Sequence, residues 1–459
     1  MTTGTGMRLL IVSSYFPPQN SIASLRPYSW AKWWSRQGHD VTVLTTPKRP
    51  HADDLRLPRD GFRVVEVPIP LLGAARATLR ALEPGSRRST SSAPPPNGPP
   101  ASGSTGSSAV RSVLTRLTER YGILGSCRFP DHHDLWALRA ARWARDTPWD
   151  AVITSGGPYS VHRVGAAVKH TQPSTPWLLD WRDLWTNNHI YPGLPLLRPY
   201  ERWLEATFHA AADVVTTVSE PLAQILRGIT STNVRVIYNG FEEEDYETLR
   251  PEPFFTGDTV NISYTGTLYE HHRDPRPLFD AVTRLEHDGR IGGQALRLHF
   301  AGACEQVVEM ARERGVEQYV RYHGRLPRED ALRMQRDSDG LLFLGREGES
   351  PDGVLTGKLF EYIASGTPVL TLGISPRGSA AEVLVAAGAQ VVFLAPPESI
   401  AAQLELFLAA REGSGVQRNV QQRGRTWKRL GTLTRRAQAE ALLDIVRSLH
   451  TVRASAQRP

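Results

Sequence analysis

The sequence predicts an α/β protein built from two doubly wound units, each with its own parallel sheet. Short apolar runs alternate with amphipathic stretches over most of the 459 residues, which is typical of parallel strands joined by crossover helices. The alternation stops near residues 240–258 and then begins again. A chain of this length fits two or three domains, so we expect two Rossmann-like units with a boundary in this region.

In the first unit, expected at 7–245, the buried run RLLIVSS at 8–14 predicts the first strand, and the pattern at 22–37 predicts a helix. Further strands are expected at 40–46, 62–67, 150–154, 176–179, 213–218 and 234–237. Residues 84–109 consist almost wholly of Pro, Gly, Ser, Ala and Thr, so a disordered insertion is expected there. Residues 1–6 are expected to be a disordered tail.

In the second unit, expected at 258–430, apolar runs predict five strands. They are NISYTG (261–266), LRLHFAG (296–302), YVRYHG (319–324), GLLFLG (340–345) and PVLTLG (368–373). Helices are expected around 275–288, up to 314, at 328–336 and around 378–387. The remaining segment, 431–459, contains a final helix expected at about 434–449.

The composition is that of an ordinary globular chain, with 40% hydrophobic and 22% charged residues. The two cysteines, Cys127 and Cys304, lie far apart without metal-like spacing, so we expect a reducing compartment, the cytoplasm, and no metal site. A net charge of +7 has two interpretations, a solvated arginine-rich surface or attraction to anionic lipid or substrates. No nucleic-acid-binding motif is present, so nucleic acid is not expected as a partner.

The most informative stretch is TGKLFEYIASGTPVL at 356–370, which predicts a short helix followed by a buried strand. Lys358 and Glu361 are three residues apart and therefore neighbours on one helix face. Thr356 and Gly357 stand at the helix start, where backbone N–H groups and the helix dipole favour an anion such as phosphate. A carboxylate one turn further in, Glu361, can accept hydrogen bonds from two vicinal hydroxyls. Diphosphate plus ribose is half of a nucleotide-sugar.

This stretch resembles the nucleotide-binding signature of family-4 glycosyltransferases, which are retaining enzymes of the GT-B fold. Glu361 and SGTPVL match the second Glu and the ending of that signature, whereas Gly353 stands where the family has its first Glu. Members of a bacterial subgroup share the Lys-Leu-Phe-Glu-Tyr form of the helix. The resemblance implies two Rossmann-like domains facing across a cleft, with the final helix crossing back to the first domain.

The resemblance also implies an activity. The expected reaction transfers a sugar from a nucleotide-diphospho-sugar to a hydroxyl of a glycan, a lipid-linked molecule or a small molecule, with retention at the anomeric carbon. No cofactor or metal is expected, and the leaving phosphate itself is thought to take the acceptor proton. Two alternatives stay open, a degenerate scaffold protein of this fold and a sugar-nucleotide epimerase.

Several further donor residues follow from the resemblance. Gly266 and Thr267 come directly after the first strand of the second unit, where relatives carry an Arg-Lys pair that this chain lacks. Arg273 is the nearest substitute, and it joins Lys358 as an expected catalytic cation. The phrase HGRLPRED at 323–330 resembles the loop that contacts the nucleobase, which assigns Arg325 and Leu326 to the donor site.

On the acceptor side, SSYFPPQN at 13–20 lacks the G-x-G-x-x-G turn, which argues against a nicotinamide or flavin enzyme. The resemblance assigns Pro18, Gln19, Asn20 and Ser21 to an acceptor-side loop, and a rigid loop without such a role is the alternative. The loop SGGPYSVH at 155–162 also follows a strand, so it is expected at the ligand-binding edge. His162 could donate to a sugar hydroxyl there, or it could be an ordinary helix residue.

The run LLDWRDLWTNN at 178–188 resembles another segment of the subgroup. One interpretation has Asp183 orienting the acceptor hydroxyl, as an expected catalytic residue beside His162, with Trp185 stacking on a sugar. The other is a salt-bridge cluster of Asp180, Arg182 and Asp183.

The helix at 22–37 carries Trp30, Trp33 and Trp34 with Lys32 and Arg36. Core packing accounts for some of these rings. Peripheral contact with an anionic membrane at its inner face is the alternative.

Overall fold

The computed structural model describes residues 6–48, 55–68, 118, 120–123, 127–188, 191–268, 273–292, 295–345, 355–396, 399–412 and 430–456. The tail predicted at 1–6, except for Gly6, lies outside these residues, as do the insertion predicted at 84–109 and Gly353. The chain forms two compact units, one made of Met1–Ile237 and Ala439–Pro459 and the other of Tyr238–Gln438. Within the described ranges, none of the helices combines the length and apolar character that crossing a bilayer requires.

The first unit contains a parallel sheet of seven strands in the order β3-β2-β1-β4-β5-β6-β7. The strands are β1 (Arg8–Val12), β2 (Asp40–Thr45), β3 (Arg63–Glu66), β4 (Ala151–Ser155), β5 (Trp177–Trp181), β6 (Val214–Thr217) and β7 (Val234–Val236). The described helices are α1 (Ile22–Arg36), α2 (His133–Arg145), α3 (Val161–Thr171), α4 (Arg198–Ala211) and α5 (Glu220–Arg227).

The second unit contains a parallel sheet of six strands in the order β10-β9-β8-β11-β12-β13. The strands are β8 (Val260–Thr265), β9 (Leu296–Ala301), β10 (Val320–Tyr322), β11 (Gly340–Leu344), β12 (Val369–Leu372) and β13 (Val391–Phe393). The described helices are α6 (Glu243–Glu247), α7 (Arg276–His287), α8 (Val307–Arg312), α9 (Arg328–Asp337), α10 (Gly357–Ser365), α11 (Ser379–Ala386) and α12 (Ile400–Glu412). The chain then continues into α13 (Arg435–Ala456).

The two sheets share one topology, in which the strand order reverses after the third strand. The reversal makes β1 and β4 neighbours in the first sheet, and β8 and β11 neighbours in the second. Doubly wound sheets bind their ligands at this switch point, outside the carboxyl ends of the strands. The prediction of two Rossmann-like α/β units is therefore confirmed, and each strand predicted from an apolar run lies within two residues of its expected bounds. Strand β13 was not predicted because three partly buried residues give too short a pattern.

Helix α1 is held to the first unit by two tryptophans. Trp30 and Trp34 are 1% and 0% exposed, with ring centres 6.1 Å apart, and Trp34 Nε1 donates to the carbonyl oxygen of Ala439 at 2.8 Å. Trp33 is partly buried between the cationic groups of Lys32 and Arg36, 4.9 and 5.0 Å from its ring. Core packing is thus the correct interpretation for Trp30 and Trp34, and these two rings are not available to a membrane.

Helix α13 belongs to the core of the first unit. Ala439, Leu442, Leu443 and Val446 are fully buried in the same cluster as Leu9 of β1. The helix runs to Ala456, beyond the predicted end at about 449.

A buried ion pair joins α1 to the centre of the first sheet. The Asp180 carboxylate is 0% exposed and accepts hydrogen bonds from Arg26 at 2.7 and 3.1 Å and from the hydroxyls of Ser155 and Thr216, each at 2.8 Å. Arg26 also donates to the carbonyl oxygen of Ile237 at 2.8 Å. Burial alone would raise the pKa of Asp180, but the positive charge of Arg26 and the hydrogen bonds outweigh it and hold that pKa below the usual 3.8.

The salt-bridge cluster expected from LLDWRDLW is wrong. Asp180 pairs with Arg26 of α1, whereas Arg182 donates to the carbonyl oxygens of Gly156 and Gly157 at 2.7 and 3.1 Å. Asp183 is exposed. Alternation along strand β5 places Asp180 on the face of the sheet that packs against α1, where Arg26 lies. Arg182 and Asp183 follow the end of the strand.

We expect Asp180→Ala to lower the free energy of unfolding by about 3–5 kcal/mol, because it leaves the Arg26 guanidinium buried without its counter-charge. Asp40→Ala is the matched control, since the Arg8–Asp40 pair has side chains that are 48% and 63% exposed and should contribute only about 0–1 kcal/mol. Urea unfolding measures both. The loss at Asp180 should shrink as pH falls through its depressed pKa, since protonation removes the pair in the wild type. Equal losses in the two variants would contradict this account.

Candidate functional site

In the second unit, the switch point lies between β8 and β11, and helix α10 stands at its edge. Leu359, Phe360 and Ile363 are buried and fix the apolar face of α10. The helix ends at Gly366, whose φ of 69° is left-handed and whose N–H donates to the carbonyl oxygen of Ile363 at 3.2 Å. The predicted short helix with Lys358 and Glu361 on it is therefore present.

Lys358 lies over the end of strand β8. Its Nζ atom is 3.9 Å from the ring centre of Tyr264, and a Cβ atom on Gly266 would lie 2.5 Å from it. Glycine at 266, with φ of 136°, is thus required for the lysine to reach this position. Burial, and after it the positive charge of Arg273, hold the pKa of Lys358 well below its usual 10.5. Among the described residues, no carboxylate forms an ion pair with Lys358.

Arg273 completes a small group of predicted donor residues. Its Nη1 atom donates to the carbonyl oxygen of Thr267 at 3.3 Å, and Tyr264 Oη donates to the same oxygen at 2.7 Å. The structure therefore brings Gly266, Thr267, Arg273 and Lys358 together at the carboxyl end of β8.

Thr356 is the N-cap residue of α10, with an extended backbone. Its Oγ1 atom is buried without a hydrogen-bond partner, and no side chain in the described part of the chain caps the helix. The helix start thus keeps hydrogen-bonding capacity, and the binding of a ligand there stays a prediction.

Glu361 is held by an ion pair that the sequence analysis missed. The carboxylate accepts from Arg328 Nη1 at 2.9 Å, and Arg328 also donates to Asp245 at 2.6 and 3.0 Å. Gln335 Nε2 donates to Thr265 Oγ1 at 2.9 Å and lies 3.4 Å from the second Glu361 oxygen. Arg328 belongs to HGRLPRED, so the same phrase that pointed to Arg325 contained the signal.

The surroundings of Arg325 and Leu326 differ from those of Lys358 and Glu361. Arg325 is exposed, and Leu326 packs against the cluster of Phe255, Ala301 and Met334. Neither forms a hydrogen bond or ion pair with Lys358 or Glu361 in the described structure. Their assignment to the nucleobase loop stays a prediction.

In the first unit, the loop that follows β1 forms one side of the switch point. Ser21 caps α1 by accepting from the N–H of Ala23 at 3.3 Å. The carbonyl oxygens of Pro17 and Pro18 accept from Arg59 Nη2 at 2.7 Å and from the N–H of Leu55 at 2.9 Å. Gln19 is partly buried and Asn20 is exposed. The loop is rigid and leaves these two polar side chains at its tip.

Two further residues meet this loop in a hydrogen-bonded chain. Ser14 Oγ lies 3.0 Å from His133 Nε2, and His133 Nδ1 lies 2.7 Å from Asp131 Oδ1. All three residues are buried. Burial would raise the pKa of Asp131, but the charge and hydrogen bonds of His133, and the charge of His132, lower it overall. In the sequence, the run PDHHD at the start of α2 is the signal for this group, because it places a carboxylate and two imidazoles next to one another.

Asp131, His132 and His133 also place one possible metal-ligand atom each within 4.8 Å of the others. The direct contact of 2.7 Å between His133 and Asp131 is a hydrogen-bond distance, however. Metal ligands at about 2.0–2.2 Å from an ion lie farther apart than that. The cluster is therefore described best as hydrogen-bonded side chains.

His162 is fully buried beneath the glycines that follow β4. Trp177 Nε1 donates to Thr154 Oγ1 at 2.9 Å, and the same hydroxyl lies 2.8 Å from His162 Nδ1. Burial lowers the pKa of His162 from 6.5 to about 3, so the ring is neutral. A Cβ on Gly156 would lie 2.7 Å from Nε2. His162 thus supports the Gly156–Gly157 turn from below, and its contact with a sugar stays a prediction.

Asp183 and Trp185, the two residues of the segment after β5 for which a function was predicted, differ in exposure. The Arg182 guanidinium lies 5.1 Å from the ring centre of Tyr15, and Asp183 is exposed beside it. Trp185 is 2% exposed and stacks on Tyr159 with ring centres 4.2 Å apart. The interpretation in which Trp185 stacks on a sugar is therefore wrong, because the ring is buried against the rings of Tyr159, Trp181 and Phe208.

Two family models together match most of the chain, on both units. A glycosyl transferase 4-like domain matches residues 24–240, and a glycosyl transferase-like model matches residues 273–458. The chain is a glycosyltransferase of the GT-B type.

Solved structures agree with this assignment at the level of fold. A glycosyltransferase from Rickettsia africae ESF-5 matches the glycosyltransferase described here with a TM-score of 0.62 and 13% identity, over 97% of this chain and 99% of that one. A sucrose-phosphate synthase from Thermosynechococcus elongatus gives 0.60 and 13%, over 97% and 100%. WaaG, a glycosyltransferase involved in lipopolysaccharide biosynthesis, gives 0.55 and 13%, over 96% and 99%. Comparison with curated protein sequences found no match.

We expect Lys358 of this glycosyltransferase to react with an amine-acetylating reagent at lower pH than Lys169, whose ammonium is paired with Asp213 at 2.9 Å. A lowered pKa exposes the neutral, nucleophilic amine at a pH where ordinary lysines are still protonated. Competitive labelling followed by mass spectrometry over a pH series measures the midpoint of each residue. Arg273→Met should move the Lys358 midpoint upward, since it removes a nearby positive charge. A Lys358 midpoint at or above that of Lys169 would contradict the described environment.

Proposed function

We propose that this glycosyltransferase transfers a sugar from a nucleotide-diphospho-sugar to a hydroxyl acceptor, with retention at the anomeric carbon. The observation that carries the proposal is Lys358, a partly buried cation that the described protein leaves without a carboxylate partner at the switch point of the second sheet. Arg273 and the start of α10 lie beside it. A site that concentrates positive charge in this way suits a diphosphate.

The leaving diphosphate gains negative charge as the bond to the sugar breaks. Fixed cations and helix-start N–H groups stabilise that charge without rearranging at the moment of reaction. Lys358 and Arg273 supply the cations, and Thr356 and Gly357 supply the helix start. A bound diphosphate would raise the lowered pKa of Lys358 and so favour the charged form of this amine.

Glu361 is the proposed partner of the donor ribose. Arg328 holds one carboxylate oxygen at 2.9 Å, while the only hydrogen bond to the second oxygen from the described residues is the long contact of 3.4 Å with Gln335. This second oxygen can accept a ribose hydroxyl. A structure of the same fold from E. coli, described as trehalose-6-phosphate bound with UDP-2-fluoro glucose, supports a nucleotide-sugar as the donor class (TM-score 0.59, 10% identity, 96% of this chain and 98% of that one).

The acceptor hydroxyl is proposed to bind at the first unit. Exposed Asp183 can orient a hydroxyl. Gln19 and Asn20 can contact the acceptor from the loop that also contains Pro18 and Ser21. His162 acts by supporting the Gly156–Gly157 turn. Retention is proposed from the resemblance of the 356–370 segment. A degenerate scaffold or an epimerase remains the alternative to be tested.

Calorimetric titration with UDP, GDP and dTDP should show binding of one of the three, and Glu361→Ala should weaken it by roughly 10–100-fold. A hydrogen bond to a charged group contributes about 1.5–3 kcal/mol, which gives this range. Lys358→Met should weaken binding as well, because it removes a cation from the diphosphate. Exposed Glu309→Ala, which loses a surface ion pair with Arg312, is the matched control and should bind as wild type does.

The outcomes separate the three candidate functions. Binding of none of the nucleotides favours the scaffold, and binding that Glu361→Ala leaves unchanged places the donor elsewhere. Incubation with UDP-glucose, GDP-mannose and dTDP-glucose, without an added acceptor, should release nucleoside diphosphate slowly; an epimerised nucleotide-sugar would instead indicate the epimerase. NMR of the glycoside formed with an added alcohol reports the anomeric configuration, and an inverted product would overturn retention.

We further propose that the enzyme works in the cytoplasm and contacts the anionic inner face of the membrane through helix α4 and the residues before it. The helix is unusual because its two carboxylates point inward: Glu201 is 0% exposed and pairs with Arg128 at 2.6 Å, and Glu205 is 4% exposed. Leu196 and Trp203 point outward and are 93% and 61% exposed, and Arg202 is exposed beside them. An outward face with aromatic, aliphatic and cationic groups suits an anionic lipid surface.

Changing Leu196 and Trp203 to Glu should reduce binding to phosphatidylcholine vesicles that contain phosphatidylglycerol by at least about 10-fold, since burial of one large apolar side chain contributes about 1.5–3 kcal/mol. Vesicle sedimentation measures this, with pure phosphatidylcholine as the neutral reference. Leu406→Glu makes the same change at a leucine that is 70% exposed on α12 and should bind as wild type does. Concentration-dependent dimers without vesicle binding would indicate a second copy as the occupant of this face.

A further inference from the structure

The hydrogen-bonded chain of Ser14, His133 and Asp131 has a fixed direction. Residues 119 positions apart in the sequence meet at the carboxyl end of β1, next to the switch point of the first sheet. Asp131 is an ionised carboxylate with a fully buried side chain, so His133 must donate its Nδ1–H to it. When the ring is neutral, its Nε2 atom accepts, and Ser14 Oγ–H donates there. The remaining lone pairs of Ser14 Oγ can accept a hydrogen bond from an incoming hydroxyl.

Backbone contacts hold each member of this chain in place. The carbonyl oxygen of Ser14 accepts from Lys48 Nζ at 2.6 Å and from Thr46 Oγ1 at 3.2 Å. Asp131 Oδ1 also accepts from the backbone N–H of His133 at 2.7 Å, at the start of α2. Groups fixed in this way need little rearrangement to act on a ligand.

Other charged or titratable side chains surround the chain. They are Tyr15, Lys48, Cys127, His132, Asp134, Tyr159, Arg182 and Asp183. Burial raises the pKa of Cys127 to about 12, so its thiol stays protonated. His132 is the other histidine of this group, so it provides the natural control.

We propose that Ser14 binds the acceptor hydroxyl and that His133, oriented by Asp131, takes the proton of that hydroxyl through Ser14. This inference rests on the proposed glycosyl transfer and names how the acceptor is activated. The acceptor oxygen forms a bond to the anomeric carbon, and the bond from that carbon to the diphosphate breaks with its electron pair on the leaving oxygen. The acceptor proton passes to Ser14 Oγ while the Ser14 proton passes to His133 Nε2. The resulting imidazolium is stabilised by Asp131 and later returns its proton to water.

This proton path differs from the one expected of the family, in which the leaving phosphate takes the proton. The two paths predict different pH profiles. A histidine that accepts a proton must be neutral, so the rate should fall at acid pH, where a protonated Nε2 cannot accept another proton. If the leaving phosphate is sufficient, replacing His133 should leave the shape of the profile unchanged.

The test is the rate of nucleoside diphosphate release against pH, for wild type, His133→Gln and Asp131→Asn. The substrates are UDP-glucose, GDP-mannose and dTDP-glucose, with water or methanol as acceptor. We expect His133→Gln to lower kcat by at least about 100-fold, within the range of general acid–base catalysis, and to abolish the acid limb. Asp131→Asn keeps an oxygen that can accept from Nδ1 but allows the wrong tautomer, so it should also lower kcat. His132→Gln should keep both rate and profile.

A structural defect is separated from a lost proton acceptor by two further measurements. Nucleoside diphosphate binding, which concerns the second unit, should stay within a few-fold of wild type, and thermal unfolding should be similar in His133→Gln and His132→Gln. Nitrogen NMR of the wild-type histidines should show one ring protonated on Nδ1 and unprotonated on Nε2, with its Nε2 signal shifted by Ser14→Ala.

The results of these experiments distinguish among the proton path, the choice of donors and the proposed donor site. Wild-type turnover with an unchanged His133→Gln profile, or a His133 ring protonated on Nε2 at neutral pH, overturns the proton path while leaving the glycosyltransferase proposal intact. Nucleotide binding without turnover of any of the three donors overturns both the proton path and this choice of donors. Absence of nucleotide binding overturns the proposed donor site itself.

Discussion

The strand order of a doubly wound sheet is the constraint on which the functional geometry depends. Crossovers from β1 leave on one face of the sheet and crossovers from β4 on the other, so the loops at their carboxyl ends diverge and leave an opening between them. The same reversal separates β8 from β11. Several residues of the proposed site follow one of these strand ends: Ser14 after β1, Gly156 after β4, Gly266 after β8 and Lys358 after β11.

Buried charged side chains have opposite-charge partners in the core of the first unit, whereas Lys358 at the second switch point lies near a like charge. In the core, Asp180 and Glu201 each have an arginine partner, and Asp180 has two hydroxyl donors as well. Such pairs set which elements come together, since removing one partner is costly. Lys358 shares its surroundings with another cation instead, and burial together with that positive charge lowers its pKa. A site that keeps like charges together is less stable by itself and gains free energy when an anion binds.

Sequence reasoning succeeded where a property is local. Apolar runs were enough to place every described strand except β13. The 356–370 segment placed Lys358 and Glu361 on one short helix, because spacing and glycine act within a few residues. It failed where a partner comes from a distant part of the chain. Arg26 and Asp180 are 154 positions apart, and Glu361 and Arg328 are 33 apart. Nothing at Trp185 indicates that Tyr159 covers its ring. Ser14 and His133 could not have been paired without the fold, although PDHHD marked one end of their contact.

The return of α13 to the first unit has a consequence for how the protein is made. The chain leaves that unit at Ile237, builds the whole second unit and comes back at Ala439. The hydrogen bond from Trp34 to the carbonyl oxygen of Ala439 can therefore form only after 405 further residues have been synthesised. The second unit, contiguous in the chain, can finish folding while the apolar residues of the first unit that pack against α13 still lack that partner. Domains usually fold in the order in which they are synthesised; here the part synthesised first is completed last, because a helix of its core follows the second unit in the chain.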